Sequence, residues 1–307
     1  MKIINYDETT KMCGEFPKVT KLGAVNHSGE MTPFVYKGRL MRMELIDPYH
    51  GTQKSEVRAH IRDVETGKVV STVGAGGYYF SAYTEGDTVY VLGVDWNKQD
   101  TIWIHKSTDL INWESRILFE RPGWEYYNTS LTKGPDGYVL LLECAKPTEY
   151  VGDCSFTLFF ATSSDLINWK FEDEKCFGKN WYNGGPWMKY VNGWYYLVDL
   201  MVLPFNRFTN YVFRTKDLEE WYVGLYNPFL MPDNDDKKIS PNCTMEDLET
   251  FCEEVKNVMN INNSDVDMCD WNGKTYINYY VGNQLGAGYL ADAIYDGTMA
   301  ELLESFF

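Results

Sequence analysis

STDLINWE at 107–114, SSDLINWK at 163–170 and TKDLEEWY at 215–222 are three copies of one motif, with tryptophans at 113, 169 and 221. Each follows a run of strand-forming residues: DTIWIHK, FTLFFAT and NYVFRT. Each places an Asp where a hairpin turns, so its carboxylate can cap the turn. The Leu then folds back onto the sheet and the Trp opens the next strand against a neighbour. The steps between the tryptophans are 56 and 52 residues, a regularity that marks a repeat architecture.

A second repeat lies upstream of these. A turn precedes a hydrophobic strand in KGRLMRMEL (37–45), DTVYVLGVD (87–95), DGYVLLLEC (136–144), NGWYYLVDL (192–200) and NGKTYINYY (272–280). Alignment on the turns brings Glu44, Asp95, Glu143 and Asp199 to one position, at spacings of 51, 48 and 56 residues. The next interval, to Tyr280, is 81, and the excess matches an insertion at 228–262. Within it TMEDLETFCEEVKNVMN reads as a helix, with Thr244 as N-cap and Met245, Leu248, Cys252, Val255 and Met259 along one face. Five units of this length, each of several short strands, predict an all-β five-bladed β-propeller with a short helical insertion between blades 4 and 5. The expected blades are about 26–75, 76–122, 123–178, 179–227 and 263–307, one domain in all. The first 25 residues are expected to supply a strand that closes the ring, and DGTMAELLESFF to end as a short helix.

Composition agrees with a sheet-rich globular protein: 307 residues, 44% hydrophobic, 23% charged and 16% aromatic. The formal net charge of −16 argues against nucleic acid and anionic membrane surfaces as partners. The chain contains no apolar stretch of membrane-spanning length, and MKIINYDETTKMCGEF lacks the features of a signal peptide, so a cytoplasmic location is expected. Seven cysteines without a CxxC pair are expected to be reduced, mostly buried thiols. The four histidines (27, 50, 60 and 105) show no metal spacing, and no nucleotide or serine-hydrolase motif occurs. No cofactor or metal is expected, and the oligomeric state is open.

The funnel of a propeller is lined by the starts of the first strands and the ends of the second. Counting back from the inner turns gives Glu30, a residue near Ser81, Thr129, Gly185 and Asp265 as one ring. Glu44, Asp95, Glu143 and Asp199 form the other, so acids gather at one end of the axis. Crowded carboxylates raise one another's pKa, which separates a proton donor from an ionised partner. Glycoside hydrolysis needs such a pair, about 5–5.5 Å apart for retention or about 6.5–9.5 Å for inversion. An ordinary structural role competes for each acid, since strand-end carboxylates also cap loops or pair with arginine, as Arg42 invites for Glu44. Glu143, after three leucines, is the expected general acid. Asp265 is the expected base or nucleophile, and Glu44 would orient the sugar or tune the acid. Glu30, Arg42, Asp95, Asn128, Asn183, Trp187, Asp199 and Asp267 are the expected substrate-binding residues. Tyr79, Trp124, Tyr127 and Trp181 add stacking faces, and His27 approaches the funnel.

The SxDLxxW turns and inner turns such as VNGWYYL resemble those of the five-bladed glycoside hydrolases of families 43, 32, 62, 68 and 117, over roughly residues 26–291. The resemblance implies an oligosaccharide or glycoside substrate. It also implies an acid two residues before a proline at the start of the fourth blade, where this chain has Gly184 before Pro186. Where that family keeps an Asp in blade one, this chain reads SGEMTP with Glu30. A glycoside hydrolase that uses another carboxylate, a phosphorylase of the same architecture and a non-catalytic sugar-binding propeller all remain open. Arg42, Arg58, Arg62 and Lys146 are too scattered in the sequence to define a phosphate pocket.

Overall fold

The computed structural model describes residues 19–45, 56–154 and 156–307; Cys13, His50 and the leader reading of the first residues lie outside them. Five blades of antiparallel strands surround an axis. The first is β2 (Met31–Tyr36), β3 (Arg39–Leu45), β4 (Ala59–Asp63) and β5 (Val69–Val73). The second is β6 (Gly77–Glu85), β7 (Thr88–Asp95), β8 (Thr101–Ser107) and β9 (Glu114–Glu120). The third is β10 (Glu125–Gly134), β11 (Gly137–Lys146), β12 (Thr157–Ser163) and β13 (Lys170–Phe177). The fourth is β14 (Trp187–Val191), β15 (Trp194–Leu203), β16 (Arg207–Thr215) and the short β17 (Tyr222–Val223). The fifth is β18 (Asn262–Trp271), β19 (Lys274–Gly282) and β20 (Gly288–Tyr295), completed by β1 (Val19–Asn26), which pairs with β20. A parallel bridge between Phe208 and Asn262 joins blades four and five into one sheet.

Local chemistry sets the turns. Lys37-Gly38, Asn192-Gly193 and Asn272-Gly273 all have positive φ at both residues, the type I′ geometry that suits twisted hairpins. In the repeated motif, Asp109 accepts the amides of Ile111 and Asn112, Asp165 those of Ile167 and Asn168, and Asp217 those of Glu219 and Glu220. Leu110, Leu166 and Leu218 are buried, and Trp113, Trp169 and Trp221 pack into three successive hydrophobic clusters between blades. The fourth cluster, between blades four and five, takes in the insertion and the closing helix Met299–Glu304.

The seam between blades five and one differs. Its apolar clusters are small, Val25 with Met31 and Leu290, and Leu40 with Val64 and Tyr276. Buried polar groups fill much of it: Glu44 with Arg42, Arg62 and Asn26, and Asp292 with Tyr276 and Asn242.

The insertion carries the helix Leu248–Asn257, but its N-cap is Asp247, which accepts the amide of Thr250, rather than Thr244. Its buried residues are Phe251 and Val255, while Leu248 is 48% and Met259 62% exposed. The seating face is centred on Phe251 and Val255 rather than on Leu248, Cys252 and Met259. Buried Asp236 anchors the insertion by taking Lys21 of β1, Tyr279 of β19, and the side chains of Asn260 and Asn263. Among the six described cysteines only Cys144 is fully buried. No helix among the described residues is long and apolar enough to cross a membrane.

Candidate active site

The axis opens at one end into a cavity of about 450 Å³. Its floor and walls carry three carboxylates from three blades: Glu30 just before β2, Glu143 near the end of β11, and Asp265 at the start of β18. Irregular strand starts recur around the mouth, and one of them carries Asp265. The register slips between Tyr78 and Ser81 in β6, between Tyr126 and Thr129 in β10, and between Ser264 and Asp267 in β18. A bulge redirects the side chain it carries. At two of these slips Tyr79 and Asp265 adopt left-handed backbone, with φ of 53° and 50°.

The three acids differ in their surroundings. Glu143 is 1% exposed, and burial pushes its carboxyl up to about 8 against donors from Asn128 Nδ2 at 3.0 Å and the Gly185 amide at 3.1 Å. Glu30 is likewise raised by burial to about 8, although the amides of Phe80 (2.7 Å) and Tyr79 (3.1 Å) favour its charge. Asp265 rises only to about 6, because Ser264 Oγ donates to it at 2.5 Å while burial lifts it. Near neutral pH, Glu143 and Glu30 therefore hold protons while Asp265 is mostly ionised. Gly185 separates two of them: its amide faces Glu143, and a Cβ on it would lie 2.5 Å from Asp265 Oδ1.

Asn128 lines the cavity beside Glu143. Asp267 lies deeper along the axis, bonded by Thr32 Oγ1 and raised by burial to about 8; it lines two small spaces of about 20 and 60 Å³ that continue the funnel.

The other expected residues are placed elsewhere. Burial works against the charge of Glu44, but Arg42 and Arg62 outweigh it and hold its carboxyl below the usual range, inside the seam rather than at the funnel. Arg42 is fully buried with it. Asp95 accepts the amides of Asn97 and Lys98 and the Trp103 indole, in a separate crevice of blade two. Asn183 uses its amide nitrogen on the carbonyls of Phe156, Gly178 and Trp181, pinning a loop. Asp199 is buried behind Gly184, whose amide it accepts at 3.3 Å, and burial followed by Glu143 raises its carboxyl well above the ordinary value. Trp187 and Trp124 pack in inter-blade cores, and Trp181 donates to Asn183.

Aromatic residues still form much of the wall. Tyr78, Tyr79, Tyr127, Phe156 and Tyr182 make successive ring contacts with centroids 4.1–6.3 Å apart. Phe156, Tyr182 and Gln284 line the cavity without having stood out in the sequence, because they sit on loops whose direction no periodicity reveals; Tyr280, the fifth blade's counterpart of Glu143, lines it too. The arrangement offers a protonated carboxyl, an ionised one and ring faces around one cavity, which suits acid–base cleavage of a polar ligand with apolar faces.

No family model and no curated protein matches the sequence. Solved structures match over nearly the whole chain. The structure of a BT0996 RGII complex superposes with a TM-score of 0.62 at 11% identity, covering 95% of this protein and 96% of that one. The catalytic domain of a Coprinopsis cinerea family 62 α-L-arabinofuranosidase gives 0.60 at 9% identity, covering 92% and 98%. A thermostable family 43 glycoside hydrolase gives 0.57 at 11%, covering 89% and 90%. The protein thus has the propeller fold shared by these glycoside hydrolases, as a divergent example of it.

Proposed function

We propose that the protein is a glycoside hydrolase that cleaves a glycosidic bond of an oligosaccharide in the axial cavity. The observation that carries this reading is the unequal trio of carboxylates, with Glu143 raised to about 8 and Asp265 only to about 6 around one aromatic-walled cavity. Glu143 gives its proton to the leaving-group oxygen as the bond to the anomeric carbon breaks. Asp265 acts on the opposite partner, either taking a proton from the incoming water or attacking the anomeric carbon itself. Glu30, protonated and held by two backbone amides, orients the sugar. Glu143 takes over the role that the family resemblance assigns to an acid at position 184, where this chain has a glycine.

The phosphorylase alternative needs a cation for phosphate, and the described cavity wall contains neither lysine nor arginine. The experiment is a screen of aryl glycosides and oligosaccharides, with and without phosphate. Phosphate-independent sugar release is expected. Binding without turnover of any member would leave a sugar-binding propeller instead.

A further inference from the structure

The insertion reaches the rim of the funnel. Its helix Leu248–Asn257 presents buried Phe251 edge-on to the ring of His27, with centroids 5.1 Å apart, and Glu254 Oε2 lies 3.2 Å from His27 Nε2. One residue earlier, Asn26 Nδ2 donates to Thr244 Oγ1 of the insertion and to Glu44 Oε2, each at 3.1 Å. Asn26 Oδ1 takes the amide of Ser28, whose hydroxyl donates to the carbonyls of Glu30 and Leu45. The loop that carries both His27 and Glu30 is therefore braced from the insertion on one side and from the Arg-held Glu44 on the other.

His27 is the only basic side chain among the described residues that line the cavity, and it is partly exposed there. Its Nε2 faces Glu254 Oε2, so the ring is held by that edge and Nδ1 is the nitrogen left for a ligand. No described residue occupies Nδ1. We propose that His27 contacts the substrate, with Nδ1 accepting a hydrogen bond from a hydroxyl of a neutral sugar. The insertion is then a specificity element, since Glu254 and Phe251 set the ring's orientation. This rests on the reading that the cavity holds a sugar.

Two variants separate substrate contact from bracing. In His27→Gln the amide reaches the position of Nε2 and keeps the bond to Glu254, but offers nothing at Nδ1. In His27→Asn the amide lies near Nδ1 and loses Glu254. KM and kcat on the best glycoside of the screen, and calorimetric Kd for the released sugar, would be measured for wild type, both variants and Glu254→Gln. His27→Gln is expected to raise KM and Kd about tenfold with kcat nearly unchanged, the pattern of a lost ground-state hydrogen bond. His27→Asn should stay nearer wild type. A His27→Gln protein that binds like wild type, while His27→Asn and Glu254→Gln bind weakly, would reduce His27 to a brace and overturn the inference alone. A wild-type protein that neither binds nor cleaves any sugar would overturn the hydrolase reading, and this inference with it.

Discussion

Gly185 donates its amide hydrogen to Glu143 Oε2 at 3.1 Å, and the same glycine leaves no space for a side chain before Asp265. Its φ of +54° is left-handed, so both conformation and contact demand glycine. Gly185→Ala should cost about 1–2 kcal/mol of stability from the backbone alone. It should cost turnover far more, about a hundredfold, because it displaces the two carboxylates relative to each other. Thermal unfolding alongside steady-state kinetics checks this. Unchanged turnover would show that Glu143 and Asp265 do not act together.

The pH profile follows from the two acids. Asp265 must be ionised, so kcat/KM rises with pH through about 6. Glu143 must be protonated, so it falls again above about 8. Asn128 donates to Glu143 and favours its charged form, so Asn128→Ala should move the alkaline limb to higher pH and leave the acid limb in place. A shift of the acid limb instead would reverse the assignment.

Glu143→Gln should keep the fold and sugar affinity while lowering turnover of unactivated glycosides by about 10²-fold or more. Substrates with good leaving groups need less protonation and should suffer less. A comparison of nitrophenyl and alkyl glycosides of one sugar measures the difference. Equal losses on both would remove Glu143 as the acid.

Glu44→Ala belongs to a different class. It strips the buried Arg42 of its carboxylate partner, and leaving a buried charge uncompensated typically costs about 3–5 kcal/mol. Denaturant unfolding should register that loss, while Glu44→Gln, which keeps hydrogen-bond capacity, loses less. A stable Glu44→Ala protein with abolished turnover would return Glu44 to the chemistry.

The fold was legible because its signals are local. Asp109, Asp165 and Asp217 cap turns through amides two and three residues away, so the motif states its own structure. Counting strand positions also led to Glu30, Glu143 and Asp265, since strand register tells which end of the axis a residue occupies. It does not tell what faces that residue from the adjacent strand or loop. Glu44 reads like Glu143 in sequence, yet it sits on the strand beside Arg62 and takes that guanidinium. Asp95 falls at the same register and turns to its own loop amides. The helix was visible, but its face was set by Phe251, which only the position of His27 and Tyr289 explains.

The pairing of β1 with β20 joins Val19 to Tyr295 and Asn26 to Leu290, contacts that span almost the whole described chain. During synthesis β1 emerges before the other described strands and β20 after them, so the ring stays an open arc until β20 is made. Until then blade five lacks its outer strand and the polar seam beside blade one is wet. Contacts of such sequence separation form slowly, and an unpaired strand edge is adhesive while it waits. Loss of β20 would therefore leave two sticky edges rather than a smaller propeller, which makes the arrival of that strand the step that commits the molecule to its shape.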